Sequence, residues 1–245
     1  MLLFKRYQKL VPEKLIKNSN SEKIKLLSIF PHPDDETMAA GGLLHRCAGR
    51  DNFEVVNLCI TKGEAGDEIL KLTKRKLARM RKQEYKRAME ILGVKQHHMW
   101  DYPDGELQQQ SNRLKKQIKK FINKEKPDIV LTYERWGIYG HPDHVYLSKI
   151  IHGISEDKES EFRMLYATMP QFIAKRIQLP KHMSEKPEDV VQTEPKYHLN
   201  IIGSGLWKKF RAARAHKSQN LMRGKRFFFW PLYAGFEYYT TEYKL

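Results

Sequence analysis

The sequence predicts an α/β protein, a mostly parallel sheet with helices on both of its faces. Short apolar runs recur along the chain, longer amphipathic segments alternate with them, and no internal repeat, low-complexity tract or linker breaks the alternation. Strands buried on both faces read as short continuous apolar runs, and parallel neighbours need a crossover between them, usually a helix.

In chain order, a basic leader containing Ser and Asn ends near residue 22, and residues 23–245 read as one domain. "KLLSIF" (25–30) and "FEVVNLCIT" (53–61) are predicted strands. Between them "DDETMAAGGLLHRCAG" reads as a helix with acids in its first turn and Gly49 near its stop. A long amphipathic helix is expected from Ile69 to Gly93. "HHMWDY" (97–102) is a third strand, "LKKQIKKFINKEK" (114–126) a helix, "DIVLTY" (128–133) a fourth strand and "DHVYLSKIIHGI" (143–154) a helix. "RMLYAT" (163–168) and "YHLNI" (197–201) are further strands, followed by a helix over "LWKKFRAARAHKSQNLM" (206–222). Residues 180–196, rich in Pro, Glu and Lys, are expected to form a surface loop. The whole is Rossmann-like.

The 245 residues, 40% hydrophobic, suffice for one sizeable core. No segment approaches the ~18–20 apolar residues that span a bilayer. The opening "MLLFKRYQKLV" lacks the long apolar region and cleavage site of a signal peptide. Two cysteines, Cys47 and Cys59, exclude a disulfide framework and suit a reducing cytoplasm. The net charge of +16 favours anionic partners. Its basic residues are dispersed, with concentrations at 71–86, 113–126 and 208–226, and the first two interleave with apolar residues as solvated helix faces do. No zinc-finger, basic-zipper or RNP pattern is present, so nucleic acid is not the expected partner, and a nucleic-acid binder with an incidental metal site is kept as an alternative.

One tripeptide occurs twice at the place where parallel sheets bind ligands, outside the carboxyl ends of strands. His32-Pro33-Asp34 follows "KLLSIF", and His141-Pro142-Asp143 follows "DIVLTY", with His144 next. Asp34, Asp35 and Glu36 are adjacent acids whose mutual repulsion calls for a cation. His32, one acid of Asp34-Asp35 and a histidine of the second loop would give a catalytic zinc its usual three protein ligands. The remaining carboxylate could then act as a base for water. Two histidines and a carboxylate also suit non-haem Fe(II), so the metal is Zn²⁺ or Fe²⁺ on ligand chemistry alone.

"PHPDDE" with a downstream "HPDH" resembles the signature of the PIG-L/LmbE family of zinc-dependent deacetylases acting on N-acetylglucosaminyl compounds. "TKGEAGD" (61–67), "LARMRKQEYKRAMEILGV" (77–94), "WDYPDGEL" (100–107) and "AHKSQ" (215–219) are similar to further segments of that family in the same order. The resemblance implies that His32, Asp35 and His144 bind zinc and that Asp34 is the general base. It implies that His141 stabilises the oxyanion and protonates the leaving amine, with Asp143 supporting it, and that Arg81 and Asp104 hold the sugar. The implied substrate is an N-acetylated amino-sugar conjugate, for which the positive charge suggests an anionic or lipid aglycone. Glu36 is expected to cap the helix or to bond behind the metal ligands.

Local readings set the background. Asp104 in "PDGE" is also a turn former, Arg81 a candidate solvated helix residue, and His216 a candidate for a local hydrogen bond. "GSG" (203–205) opens a helix, but two glycines do not make a dinucleotide site. The aromatic tail "MRGKRFFFWPLYAGFEYYTTEY" is expected to be a last strand or a packed loop closing the pocket. A sharper expectation is that Phe227–Trp230, with Arg223, Lys225 and Arg226, touches a membrane surface or a lipid-linked sugar.

Overall fold

A computed structural model describes residues 7–15, 23–66, 70–174, 190–221 and 235–243. Eight strands form a single sheet: β1 (Gln8–Lys9), β2 (Ile24–Phe30), β3 (Phe53–Thr61), β4 (Gln96–Tyr102), β5 (Ile129–Tyr133), β6 (Arg163–Thr168), β7 (Tyr197–Asn200) and β8 (Phe236–Thr240). Six helices are α1 (Asp35–Ala48), α2 (Lys74–Leu92), α3 (Ser111–Glu125), α4 (Pro142–Ser155), the single turn α5 (Gln171–Ala174) and α6 (Ser204–Ala215). The strand order is β1-β7-β8-β6-β5-β2-β3-β4, with every pairing parallel except those of β8. The predicted α/β class and mostly parallel sheet are therefore present.

Alternation along β2 explains the two-sided core. Leu26 and Phe30 point to one face with Leu43, Leu44, Met89, Leu92 and Ala212, so α1, α2 and α6 cover that side. Leu27 and Ile29 point to the other with Leu114, Ile118, Leu147 and Ile151, which puts α3 and α4 there. The chain runs β2→β3→β4 in one direction and returns to β5→β6 on the other side of β2. The crevice between the ends of β2 and β5 is thus the topological switch point, and both His-Pro-Asp segments lie there.

Two expectations are corrected. The long helix starts at Lys74, because the hydroxyl of Thr73 caps it by accepting the Lys76 N–H at 3.4 Å. The helix after β7 ends at Ala215, and Lys217–Gln219 forms a 3₁₀ turn instead of continuing it. The described part of the leader belongs to the fold: β1 pairs with β7, and Leu10 is buried in the core. The last strand expected in the aromatic tail is present as β8, and residues 222–234 of that tail lie outside the described residues. β8 is inserted antiparallel between β6 and β7, and its Glu237 accepts N–H bonds from Gly42 and Leu43 of α1. Phe227–Trp230, Arg223, Lys225, Arg226, Asp67 and most of the 180–196 loop lie outside the described residues. No helix among the described residues is long and apolar enough to cross a membrane.

Candidate metal centre

β2 ends at Phe30, and the chain leaves the sheet through Pro31 and His32 before α1 begins at Asp35. Asp34 lies at φ +124°, a conformation that costs a side chain with a Cβ and persists only where neighbours enforce it. Two bonds do so. The Asp34 N–H donates to Glu36 Oε2 at 3.3 Å, and Arg81 Nη2 donates to the Pro33 carbonyl at 2.7 Å. Glu36, fully buried, therefore shapes the turn, its other oxygen accepting the Thr37 hydroxyl at 2.8 Å. Burial, with Asp34 and Asp35 close by, pushes its carboxyl up to about 8.

The second loop runs from β5 to α4. Pro142 takes the first helical position and His141 caps the helix, its Nδ1 accepting the Asp143 N–H at 3.2 Å. His144 is fully buried one residue on, where its Nδ1–H donates to the Gly137 carbonyl at 3.2 Å. Gly137 has φ +58°, and a Cβ there would lie 2.2 Å from the His144 Cβ, so this close approach requires glycine. The bond leaves the lone pair of His144 on Nε2.

These two loops bring three donor atoms into one triangle. His32 Nδ1 is 3.2 Å from His144 Nε2, His32 Nδ1 is 3.2 Å from Asp35 Oδ2, and His144 Nε2 is 3.3 Å from Asp35 Oδ2. Donors bound tetrahedrally at ~2.0–2.1 Å stand about 3.3 Å apart, so the triangle has the dimensions of three corners of a zinc site. Burial opposes ionisation of Asp35, yet the His144 and His32 imidazoles outweigh it and hold its carboxyl well below the usual range. The other Asp35 oxygen accepts the Tyr133 hydroxyl at 2.9 Å.

His32 also has its far nitrogen held. Nε2 faces Asp104 Oδ1 at 3.0 Å and Asp143 Oδ2 at 3.2 Å. A carboxylate behind a ligand histidine fixes its tautomer and ring plane. That places a proton on Nε2 and leaves Nδ1, once deprotonated, as the donor atom inside the triangle. His32, His141 and His144 form a looser group with donor atoms within 4.8 Å, as do His32, Asp104 and Asp143. The triangle through Asp35 is tighter, its three donor atoms lying within 3.3 Å of one another.

Asp34 points beside this triangle with its side chain 15% exposed, 3.5 Å from Arg81 Nη2. Burial raises its carboxyl to about 7, and Arg81 counteracts part of that rise. The His141 ring stands 4.8 Å from that of His32 and 4.9 Å from that of His144, on the more open side of the cluster. Burial, with His32 and His144 nearby, lowers it to about 3. The ring is therefore neutral, and with Nδ1 accepting it carries its proton on Nε2.

All eight residues singled out from sequence meet here, although three do so differently from expectation. The Asp143 carboxylate supports His32, not His141. Its oxygens take His32 Nε2 and the amides of Gly105 and Leu107, and only its backbone N–H reaches His141. Asp104, expected at the sugar, has one oxygen on His32 and the other on the Ala65 N–H at 2.9 Å. Arg81, expected to touch the sugar, is buried with Nη1 on the Gly63 carbonyl at 2.9 Å and Nη2 on Pro33. In both cases the sequence showed a polar group near the crevice but not the loop backbone it bonds.

Sequence reasoning passed over four residues. Tyr133 stacks on His144 at 4.5 Å and 10°, and its place as the last residue of β5, at the carboxyl edge, was the available signal. The Tyr139 hydroxyl is 3.4 Å from His144 Nε2. Glu134, fully buried, accepts from the amides of Trp136 and Ile138 and from Thr193, holding the loop in shape. Glu84 accepts the amide and hydroxyl of Ser218, tying "RKQE" to "HKSQ". His216, expected to bond locally, is instead buried beside Glu36 and Thr37.

The family profile described as PIG-L, GlcNAc-PI de-N-acetylase, matches residues 27–154, just over half of the chain. A diacetylchitobiose deacetylase from Thermococcus kodakarensis is 33% identical over 199 residues, covering 80% of this chain and 70% of that protein. A 1D-myo-inositol 2-acetamido-2-deoxy-alpha-D-glucopyranoside deacetylase from Actinosynnema mirum is 27% identical over 239 residues, covering 80% of each. Among solved structures, the N,N'-diacetylchitobiose deacetylase of Pyrococcus horikoshii superposes with a TM-score of 0.68 at 23% identity, covering 99% of this chain and 92% of that one. This last likeness speaks for the fold.

Proposed function

The chain belongs to the PIG-L (GlcNAc-PI de-N-acetylase) family, and from that premise we propose that it is a metal-dependent hydrolase. Its reaction would remove the acetyl group from an N-acetylglucosamine-type conjugate. The observation that carries this reading is the triangle of His32 Nδ1, Asp35 Oδ2 and His144 Nε2, with edges of 3.2–3.3 Å.

The donor set fits a divalent cation, zinc in this reading, held by His32, Asp35 and His144. Such an ion supplies Lewis-acid polarisation of the amide carbonyl and lowers the pKa of water toward ~7. The chain supplies the rest. Asp34, anchored beside Arg81, accepts a proton from the attacking water. The Nε2–H of neutral His141 donates to the carbonyl oxygen as negative charge builds on it. As the C–N bond breaks, the amine nitrogen must take a proton, because an amide anion is a very poor leaving group. Asp34 returns the one it received, a role the resemblance implied for His141, and the products are acetate and the free amino sugar. Arg81 and Asp104 act by holding Asp34 and His32 in position.

The net charge of +16 supports a conjugate with an anionic or lipid aglycone. Two free, buried cysteines fit a cytoplasmic setting. The test is a panel of N-acetylglucosamine conjugates, both neutral and acidic, incubated with zinc-reconstituted protein without oxygen. Stoichiometric release of acetate and free amine supports the proposal. Zinc-loaded, folded protein that releases neither from any member contradicts it, and turnover that appears only with iron and oxygen would favour an oxygenase.

A further inference from the structure

Tyr133, the last residue of β5, touches two of the three residues of the metal triangle. Its hydroxyl donates to Asp35 Oδ1 at 2.9 Å, and its ring lies nearly flat on that of His144, 4.5 Å away and 10° from parallel. Packing holds the side chain in that place. It is 3% exposed, and the Phe30 ring meets it edge-on at 4.9 Å and 76°. Its backbone is in register with Ala167 of β6, and the Ser148 hydroxyl of α4 donates to its carbonyl at 2.8 Å.

The two oxygens of Asp35 consequently face different neighbours. Oδ2 looks toward His32 Nδ1 and His144 Nε2 and also accepts the His32 N–H at 2.9 Å. Oδ1 accepts the phenol. With a donor on each oxygen the carboxylate plane is fixed, and turning Oδ1 into the triangle would break a hydrogen bond inside the protein, which is costly where both partners are buried. A carboxylate turned that way would grip an ion through both oxygens and raise its coordination number by one. Catalytic zinc takes three protein ligands and keeps one position for water, whereas manganese suits sites with more oxygen donors.

We propose that Tyr133 is a positioning residue whose hydroxyl keeps Asp35 monodentate, and that it thereby sets the coordination number of the ion and the preference for zinc over manganese. The inference rests on the His32–Asp35–His144 centre proposed above and goes beyond it, because those three donors alone suit either mode of carboxylate binding. The ring and the hydroxyl of Tyr133 serve different ligands. Tyr133→Phe keeps the ring on His144 and removes only the group that holds Asp35 Oδ1.

The experiment loads metal-free wild type and Tyr133→Phe with Zn²⁺ or Mn²⁺, measures both affinities by chelator competition, and records the zinc X-ray absorption fine structure. The wild-type spectrum should lack the short metal–carbon scattering that a chelating carboxylate gives, a result that needs no substitution. In Tyr133→Phe that scattering should appear. The ratio of zinc to manganese affinity should fall by about 10-fold or more, the scale of losing a partner behind a metal ligand. Tyr166→Phe, which removes a buried hydroxyl 2.9 Å from His152 Nδ1, should change neither readout. Thermal melts verify that the variants fold. An unchanged spectrum or an unchanged ratio in Tyr133→Phe would overturn the proposal and leave the centre standing, as would a chelating carboxylate already present in the wild type. Zinc binding that survives Asp35→Ala would instead remove the centre, and the proposal with it.

Discussion

Asp143 of the second His-Pro-Asp segment places its Oδ2 3.2 Å from Nε2 of His32 in the first. The two loops, 111 residues apart in sequence, are thereby locked to each other before any ion is considered. The bond turns Nδ1 of His32 into the triangle and fixes its tautomer. Asp143→Asn should weaken zinc affinity by about 10–100-fold, the usual effect of losing a carboxylate behind a ligand histidine. Competition with a chromogenic chelator measures it. Unchanged affinity would mean that Asp104 alone orients His32.

Asp34 stands beside the triangle without belonging to it, so metal binding and turnover should separate at this residue. Asp34→Ala should retain stoichiometric zinc and lose about 10²–10⁴ in acetate release. Metal analysis alongside the deacetylation assay checks both halves. Near wild-type turnover would remove Asp34 from the role of base.

Gly63 passes against the guanidinium of Arg81. A Cβ there would lie 2.4 Å from Arg81 Cζ, on a backbone with φ +67°. Gly63→Ala should displace Arg81, release both loops it ties, and cost roughly 1–3 kcal/mol through overpacking and strain. Urea denaturation gives the loss, and the release of Asp34 should lower acetate production in the same variant. A stable and fully active variant would show that Arg81 is not needed to hold Asp34.

Lys209 and Glu237 form a buried ion pair at 2.8 Å, with Glu237 also accepting from two α1 amides and from Tyr239. Lys209→Met removes the cation and leaves the carboxylate buried, a change that typically costs about 3–5 kcal/mol. The loss should appear in urea unfolding with zinc binding per folded molecule unchanged, because the pair ties β8 to α1 and α6 through residues that are not part of the triangle.

The parts legible in the sequence were those written in local pattern. Apolar runs such as "KLLSIF" and "DIVLTY" gave the central strands, and the repeated His-Pro-Asp marked the switch point between them. What escaped depends on contacts between distant segments. The insertion of β8 between β6 and β7 rests on Glu237 meeting Lys209 and α1, which no spacing reveals. β1 has only two residues, too short for any period, and is defined by its pairing with β7. The resemblance paired Asp143 with His141, whereas the α4 backbone directs the carboxylate across the crevice to His32. Tyr133 read only as the end of a strand and Glu134 drew no reading, and their bonds to Asp35 and to the following loop appear only once β5 lies beside β2.

Calorimetric titration of metal-free protein with Zn²⁺, repeated on Asp35→Ala, His144→Ala and His141→Ala, reaches the central point with least intervening inference. One tight ion per chain is predicted, abolished or severely weakened in the first two variants and retained in the third. Tight one-to-one binding that survives the loss of Asp35 or of His144 would contradict the proposed centre.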